Sequence, residues 1–146
     1  MSSTPPTIIL VPGAFHKASH FYKLAMNLTI SGFTVSILDL PSTTAGEPRS
    51  SIYESDVSTI ADAIREFTQV GRDVVLIMHG LSGKPGTQAA CGFGQKPLAD
   101  GQRDEGTGAV VKLIYLAAWL PMEGQSLFSL PWPADNEPFA VADEEV

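Results

Sequence analysis

The chain is poor in cysteine and in charge. Cys91 is the one cysteine among 146 residues, so neither an intrachain disulfide nor a cysteine-built metal site can form. Charged residues make up 17%, too few for a coiled coil or a long solvated helix. Bases are scarcer than acids: nine Lys and Arg against sixteen Asp and Glu, a net charge of −7. A protein that grips a phosphate backbone carries the opposite balance, which excludes nucleic acid as the expected partner. No apolar run approaches the roughly 18–20 residues that cross a bilayer. The opening Met1-Ser2-Ser3-Thr4-Pro5-Pro6 has no basic stretch leading into an apolar one, so it does not read as a signal peptide. The expectation is a soluble, cytoplasmic protein with no membrane partner.

What the chain does have is core material. Hydrophobic residues are 44% of it, which suits one ordinary domain over residues 1–146 and excludes whole-chain disorder. The charge is uneven. After Leu120 there are six acids (Glu123, Asp135, Glu137, Asp143, Glu144, Glu145) and no base. Residues 7–118 read as the core of the domain, and 119–146 as an acidic tail with four prolines and no clear period.

Short apolar runs alternate with helical patterns. Thr7 to Val11 is rich in β-branched residues and stops at Pro12-Gly13, as a buried strand does. Residues near 19–31 follow as a helix, with Phe21, Leu24 and Leu28 as its apolar stripe and Gly32 just past its end. Phe33 to Leu38 is a second strand, and 42–50 a loop rich in Ser, Thr, Gly and Pro. Ser51 and Glu54 form a capping box. Behind it, Val57, Ile60, Ile64 and Phe67 form a stripe at helical spacing, ended by Gly71. Asp73 to Met78 is a third strand, followed by a tight turn and a short helix through Ala89 and Ala90. Residues 92–108, glycine-rich and of mixed charge, read as a surface loop. Val110 to Ala118 is a fourth strand. Strand–helix alternation gives an α/β fold with a parallel sheet and right-handed crossovers. All four strands are apolar enough to be buried on both faces.

In a parallel sheet, chemistry gathers at the carboxyl ends of the strands. Two turns fall there: Val11-Pro12-Gly13-Ala14-Phe15-His16 and Met78-His79-Gly80-Leu81-Ser82-Gly83. Together with the stretches around FTVSILDLP and VVKLIYLAAWLPMEGQSL, in this order and spacing, they resemble the α/β-hydrolase superfamily. The resemblance is nearest to small esterases and hydroxynitrile lyases related to plant methylesterases, and it runs over residues 7–130. It implies a partial α/β-hydrolase sheet of about four strands ordered β2-β1-β3-β4, with the start of a cap after residue 118 and the C-terminal half missing. It also implies chemistry on a small ester-like molecule, without a cofactor. The backbone N–H groups of Ala14 and Leu81 would form the oxyanion hole.

The match departs from the family pattern where the chemistry sits. The nucleophile of such enzymes stands on a sharp strand-to-helix turn, flanked two residues away by small residues. Aligned on His79 and Gly83, that position is Gly80, which has no side chain with which to attack. Ser82 is the alternative nucleophile, but Lys84 then stands where a small residue belongs. As a plain hydroxyl, Ser82 would bond the first turn of the helix. The family order is Ser, acid, then His, and no histidine follows His79. The expectation is a protein of carboxylic-ester-hydrolase lineage that is inactive or incomplete as this chain. The alternative is a non-catalytic binding or interaction module on the same scaffold.

The remaining candidates read as structural. His16 and His20, four apart, lack a third metal ligand nearby in sequence. Cys91 lies outside the elbow and reads as a small buried hydrophobe. Gly83-Lys84 is no P-loop, because Pro85 stands where Ser or Thr belongs. The fourth strand, 110–116, should be a sheet edge with only Lys112 to deter pairing. Self-association through it is therefore expected.

Overall fold

A computed structural model describes residues 4–44, 52–94, 106–120 and 122–124. Among these residues there are four strands: β1 (Thr7–Val11), β2 (Thr34–Ile37), β3 (Val74–His79) and β4 (Val110–Leu116). They form one parallel sheet in the order β2-β1-β3-β4. The helices are α1 (Tyr22–Ile30), the single turn α2 (Pro41–Thr44), α3 (Ile52–Thr68) and α4 (Gly83–Ala90). A partial α/β-hydrolase sheet is therefore what the chain builds. The helical turn α2 takes up the beginning of the stretch expected to be a loop, while Ser51 of the capping box lies outside the described residues.

The strand order decides which face each helix covers. The step from β1 to β2 runs one way across the sheet, and the steps through β3 to β4 run the other way. Right-handed crossovers then place α1 on one face and α3 and α4 on the other. On the α3/α4 face, Ile9, Val11, Val74, Leu76 and Met78 meet Ile60, Ile64 and Ala89 in one core. The stripe read from the sequence of α3 is the contact surface, and Ile60 and Ile64 are both completely buried. Each such side chain contributes about 1.5–3 kcal/mol by leaving water.

The other face is less covered. The strand β1 is buried along its whole length, but β3 alternates, β2 is only half-buried and β4 is largely exposed. Burial of all four strands on both faces is thus corrected: among the described residues only α1 crosses this face, and it contacts mainly β2. No residue of α1 is buried, and Tyr22, Met26 and Ile30, four apart, form an exposed apolar stripe. Cys91 is also exposed rather than buried, because α4 ends at Ala90 and the thiol lies beyond its last turn. At the far edge, a register shift between Val74 and Val75 leaves Val111 as an extra residue in β4. Gly94 bridges only the start of that strand, at Val110.

Candidate functional site

The site is assembled where β1 and β3 run out side by side. Beyond Val11 the chain turns through Pro12 and Gly13, both buried. It reaches Phe15, which is held at φ +63°. A bulky residue in that region is strained by about 1–3 kcal/mol, a cost the surroundings must offset. Beyond His79 the chain turns at Gly80, with φ +57°, into a 3-10 turn (Gly80–Ser82) and then α4. The two turns touch: a Cβ on Gly13 would overlap the His79 carbonyl. Only glycine lets the backbones approach so closely.

Gly80 is different, because the space beside it is open. The nearest atom to a Cβ placed there is Gly13 Cα at 3.9 Å. The turn keeps the strained left-handed geometry of a strand-to-helix elbow and has room for a side chain, yet carries none.

Ser82 points the other way, into the protein. It is 2% exposed. Its Oγ accepts the His79 N–H at 2.9 Å, and its proton lies between two carbonyl oxygens, of Val11 and His79, each at 2.9 Å. The hydroxyl fastens the end of β1 to the end of β3 across 71 residues of chain. This bonding reaches across strands and does not cap α4, whose N-terminal residue makes no side-chain cap at Ser82.

Three histidines that sequence spacing leaves separate converge beside the elbow. The His16 and His79 rings meet edge to face with centroids 4.8 Å apart, and His16 meets His20 at 5.3 Å. Phe21 lies 5.5 Å from His79. The His16 Nδ1 is bonded to the Ala14 carbonyl at 2.8 Å, which makes Nδ1 the protonated nitrogen when the ring is neutral. The His79 Nδ1 is buried with no hydrogen-bond partner among the described residues. Burial, and then the neighbouring His16, push the His79 pKa below its usual value. No group of three or more His, Cys, Asp or Glu among the described residues is arranged to hold a metal.

Next to this cluster lies a cavity of about 410 Å³, lined mostly by apolar atoms. Ala14 and Phe15 come from the first turn, Leu81, Ser82 and Pro85 from the elbow and α4, and Tyr53 and Asp56 from α3. Ala14 and Leu81, whose backbone N–H groups the resemblance assigns to an oxyanion hole, are both part of this lining. Tyr53 and Asp56 were not singled out from the sequence. Their only signal was position: both lie in the first turns of α3, the end directed at the carboxyl edge of the sheet.

The comparisons with known proteins agree with this architecture. The model of the alpha/beta hydrolase family matches residues 8–145. An alpha/beta hydrolase of Aspergillus novofumigatus is 35% identical over 122 residues, covering 84% of this chain and 46% of that protein. A probable hydrolase of a Phoma species is 30% identical over 124 residues, with the same two coverages. The chain thus spans about half the length of the curated relatives it matches. Among solved structures, an extracellular α/β-hydrolase from a Paenibacillus species superposes with a TM-score of 0.67 at 19% identity, over 90% of this chain and 48% of that one. That protein is described as sharing structural and functional homology with tobacco Salicylic Acid Binding Protein 2. Sheet order, elbow and family match lead to one statement: the chain belongs to the alpha/beta hydrolase family.

Proposed function

We propose that this chain is a carbonyl-binding member of the ester-hydrolase branch of its family. It would hold a small ester-like molecule in the cavity between β1 and α4, without attacking it through a serine. The observation that carries this reading is Gly80: an elbow with the strained backbone of a nucleophile turn, open space at Cβ, and no nucleophile. Ala14 and Leu81 both line the cavity, and on this reading their backbone N–H groups are its donors. Two convergent backbone donors are what a carbonyl oxygen or carboxylate requires. The strained Phe15 fits a turn whose geometry is fixed for a ligand's sake. The apolar remainder of the lining takes the body of the molecule.

Ser82 does not supply the missing chemistry. A buried Oγ that accepts one backbone N–H and gives its own proton to backbone carbonyls has neither exposure nor a proton free for a base. His16 and His79 stand beside the elbow, but an imidazole without a hydroxyl to deprotonate forms no acyl-enzyme. The branch assignment draws on the resemblance to methylesterase-like proteins and on the neighbour described as homologous to Salicylic Acid Binding Protein 2.

The reading is tested by treating the purified chain with a fluorophosphonate probe and, separately, titrating it with methyl hexanoate by calorimetry. The expected outcome is saturable binding of the ester and no adduct on the protein. A stoichiometric adduct on Ser82 would overturn the absence of a nucleophile. A flat titration would overturn carbonyl binding.

A further inference from the structure

The cavity lining also includes a residue with a carboxyl group. Asp56 is 6% exposed, yet it lines the cavity. Among the described residues its one hydrogen bond is from the Ser42 N–H, which donates to Oδ1 at 3.0 Å. One such bond leaves most of the acceptor capacity of a carboxyl group unused, since its two oxygens offer about four lone-pair sites. Tyr53, one turn earlier on α3, does not fill that capacity. Its hydroxyl donates to the Gln88 Oε1 at 2.7 Å, and the Lys84 ammonium lies over its ring at 4.9 Å from the centroid. Toward the cavity the Tyr53 oxygen therefore has only a lone pair to offer. This part of the lining accepts hydrogen bonds, whereas Ala14 and Leu81 donate them.

We infer that Asp56 is a specificity-determining residue, selecting ligands that carry a hydrogen-bond donor, a hydroxyl or an ammonium group, on an apolar body that also bears the carbonyl. This rests on the carbonyl-binding reading above and adds the second polar group of the ligand. The discrimination should be large, because a buried site built to bond a donor rejects the analogue that lacks it far more strongly than an apolar pocket rejects a missing methylene. Asp56 also anchors α2 through Ser42, so loss of affinity alone would not separate the two roles. The ratio of affinities for matched ligands does separate them.

The experiment uses methyl hexanoate, its 3-hydroxy and 6-hydroxy forms, and methyl 6-aminohexanoate, titrated into the wild-type chain and into Asp56→Asn. The amide oxygen of Asn can still accept the Ser42 N–H, while its NH₂ presents a donor where the carboxyl presented an acceptor. The wild type should bind at least one hydroxylated or amino ester ten-fold or more tighter than methyl hexanoate. The hydroxy and amino arms tell which donor is preferred. In Asp56→Asn that preference should fall below about three-fold, with the affinity for methyl hexanoate changed less than three-fold. Equal binding of all four esters by the wild type would overturn the inference and leave carbonyl binding standing. So would a uniform loss in Asp56→Asn with the ratio preserved, the mark of a loop anchor. Failure of every ester to bind would overturn both readings. If Asp56→Asn does not fold, Ser42→Pro, which removes the donated N–H and leaves the carboxyl, takes its place: it should keep the wild-type ratio, and loss of the ratio would overturn the inference.

Discussion

The two faces of the sheet are finished to different degrees. On the α3/α4 face, Ile9, Leu76, Met78, Ile60 and Ile64 are packed to near-zero exposure. On the α1 face, Val75 and Ile77 are half-buried and Ile114 and Leu116 are exposed, while α1 turns Tyr22, Met26 and Ile30 to solvent. In β4, Ile114 and Leu116 on this face are as apolar as Leu113 and Tyr115 on the other. What differs is whether a helix lies over them. Hydrophobic sequence therefore states what a strand is suited to, and the neighbouring elements decide what it gets.

The largest effect should come from the packed face. Leu76→Ala or Ile64→Ala removes a fully buried side chain and should cost about 2–5 kcal/mol, measured as loss of stability in urea. Ile114→Thr on the open face should stay within roughly 0.5 kcal/mol, as surface changes do. Comparable losses at Ile64 and Ile114 would mean that the open face is covered in solution.

Association is the next measure. In β4, the segment Lys112 to Leu116 could pair antiparallel with a second copy centred on Ile114, placing Lys112 opposite Leu116 rather than opposite another lysine. We expect light scattering to show concentration-dependent association, and Ile114→Lys to reduce it by placing charge on an unprotected edge. A monodisperse monomer at every concentration would contradict this.

Gly80→Ser follows. A serine fits beside Gly13 Cα, but a φ of +57° costs a side chain on the order of 1 kcal/mol. The variant should fold with slightly lowered stability and show no ester turnover in a chromogenic assay. Turnover would identify His16, the ring packed on His79, as a working base.

The smallest effect concerns pH. The His79 pKa is lowered in the folded protein, by burial first and His16 second. The unfolded chain therefore takes up this proton first as pH falls. Stability should decrease as pH drops through about 6.5 toward the folded value, and level off below it. Thermal melts at pH 7.5 and 5.5 should show the loss, and His16→Asn should shrink it. An unchanged difference would assign the shift to burial alone.

Much of this fold could be read in the sequence because local signals agreed. The β-branched runs, the stripe of α3 and the alternation of strand and helix all pointed to one parallel sheet, whose order β2-β1-β3-β4 followed from the family resemblance. The site was legible only at its backbone turns. Gly13, Gly80 and Ser82 stand in short contiguous motifs. The convergence of His16 with His79, 63 positions apart, depends on β1 and β3 being neighbours. The role proposed for Asp56 depends on α3 entering over the same edge as α4. Such meetings are products of tertiary packing, and no spacing records them. Burial of Cys91 was misread for a related reason: the end of α4, not the residue type, decides what covers it.

In the proposed function, the chain holds a carbonyl between two backbone amides and leaves the ester intact. A ¹⁵N-resolved NMR titration with methyl hexanoate tests both halves in one sample. The amide resonances of Ala14 and Leu81 should move most, saturably, while no methanol accumulates beyond the protein-free control. Unmoved Ala14 and Leu81 signals, or methanol released in proportion to the protein, would contradict it.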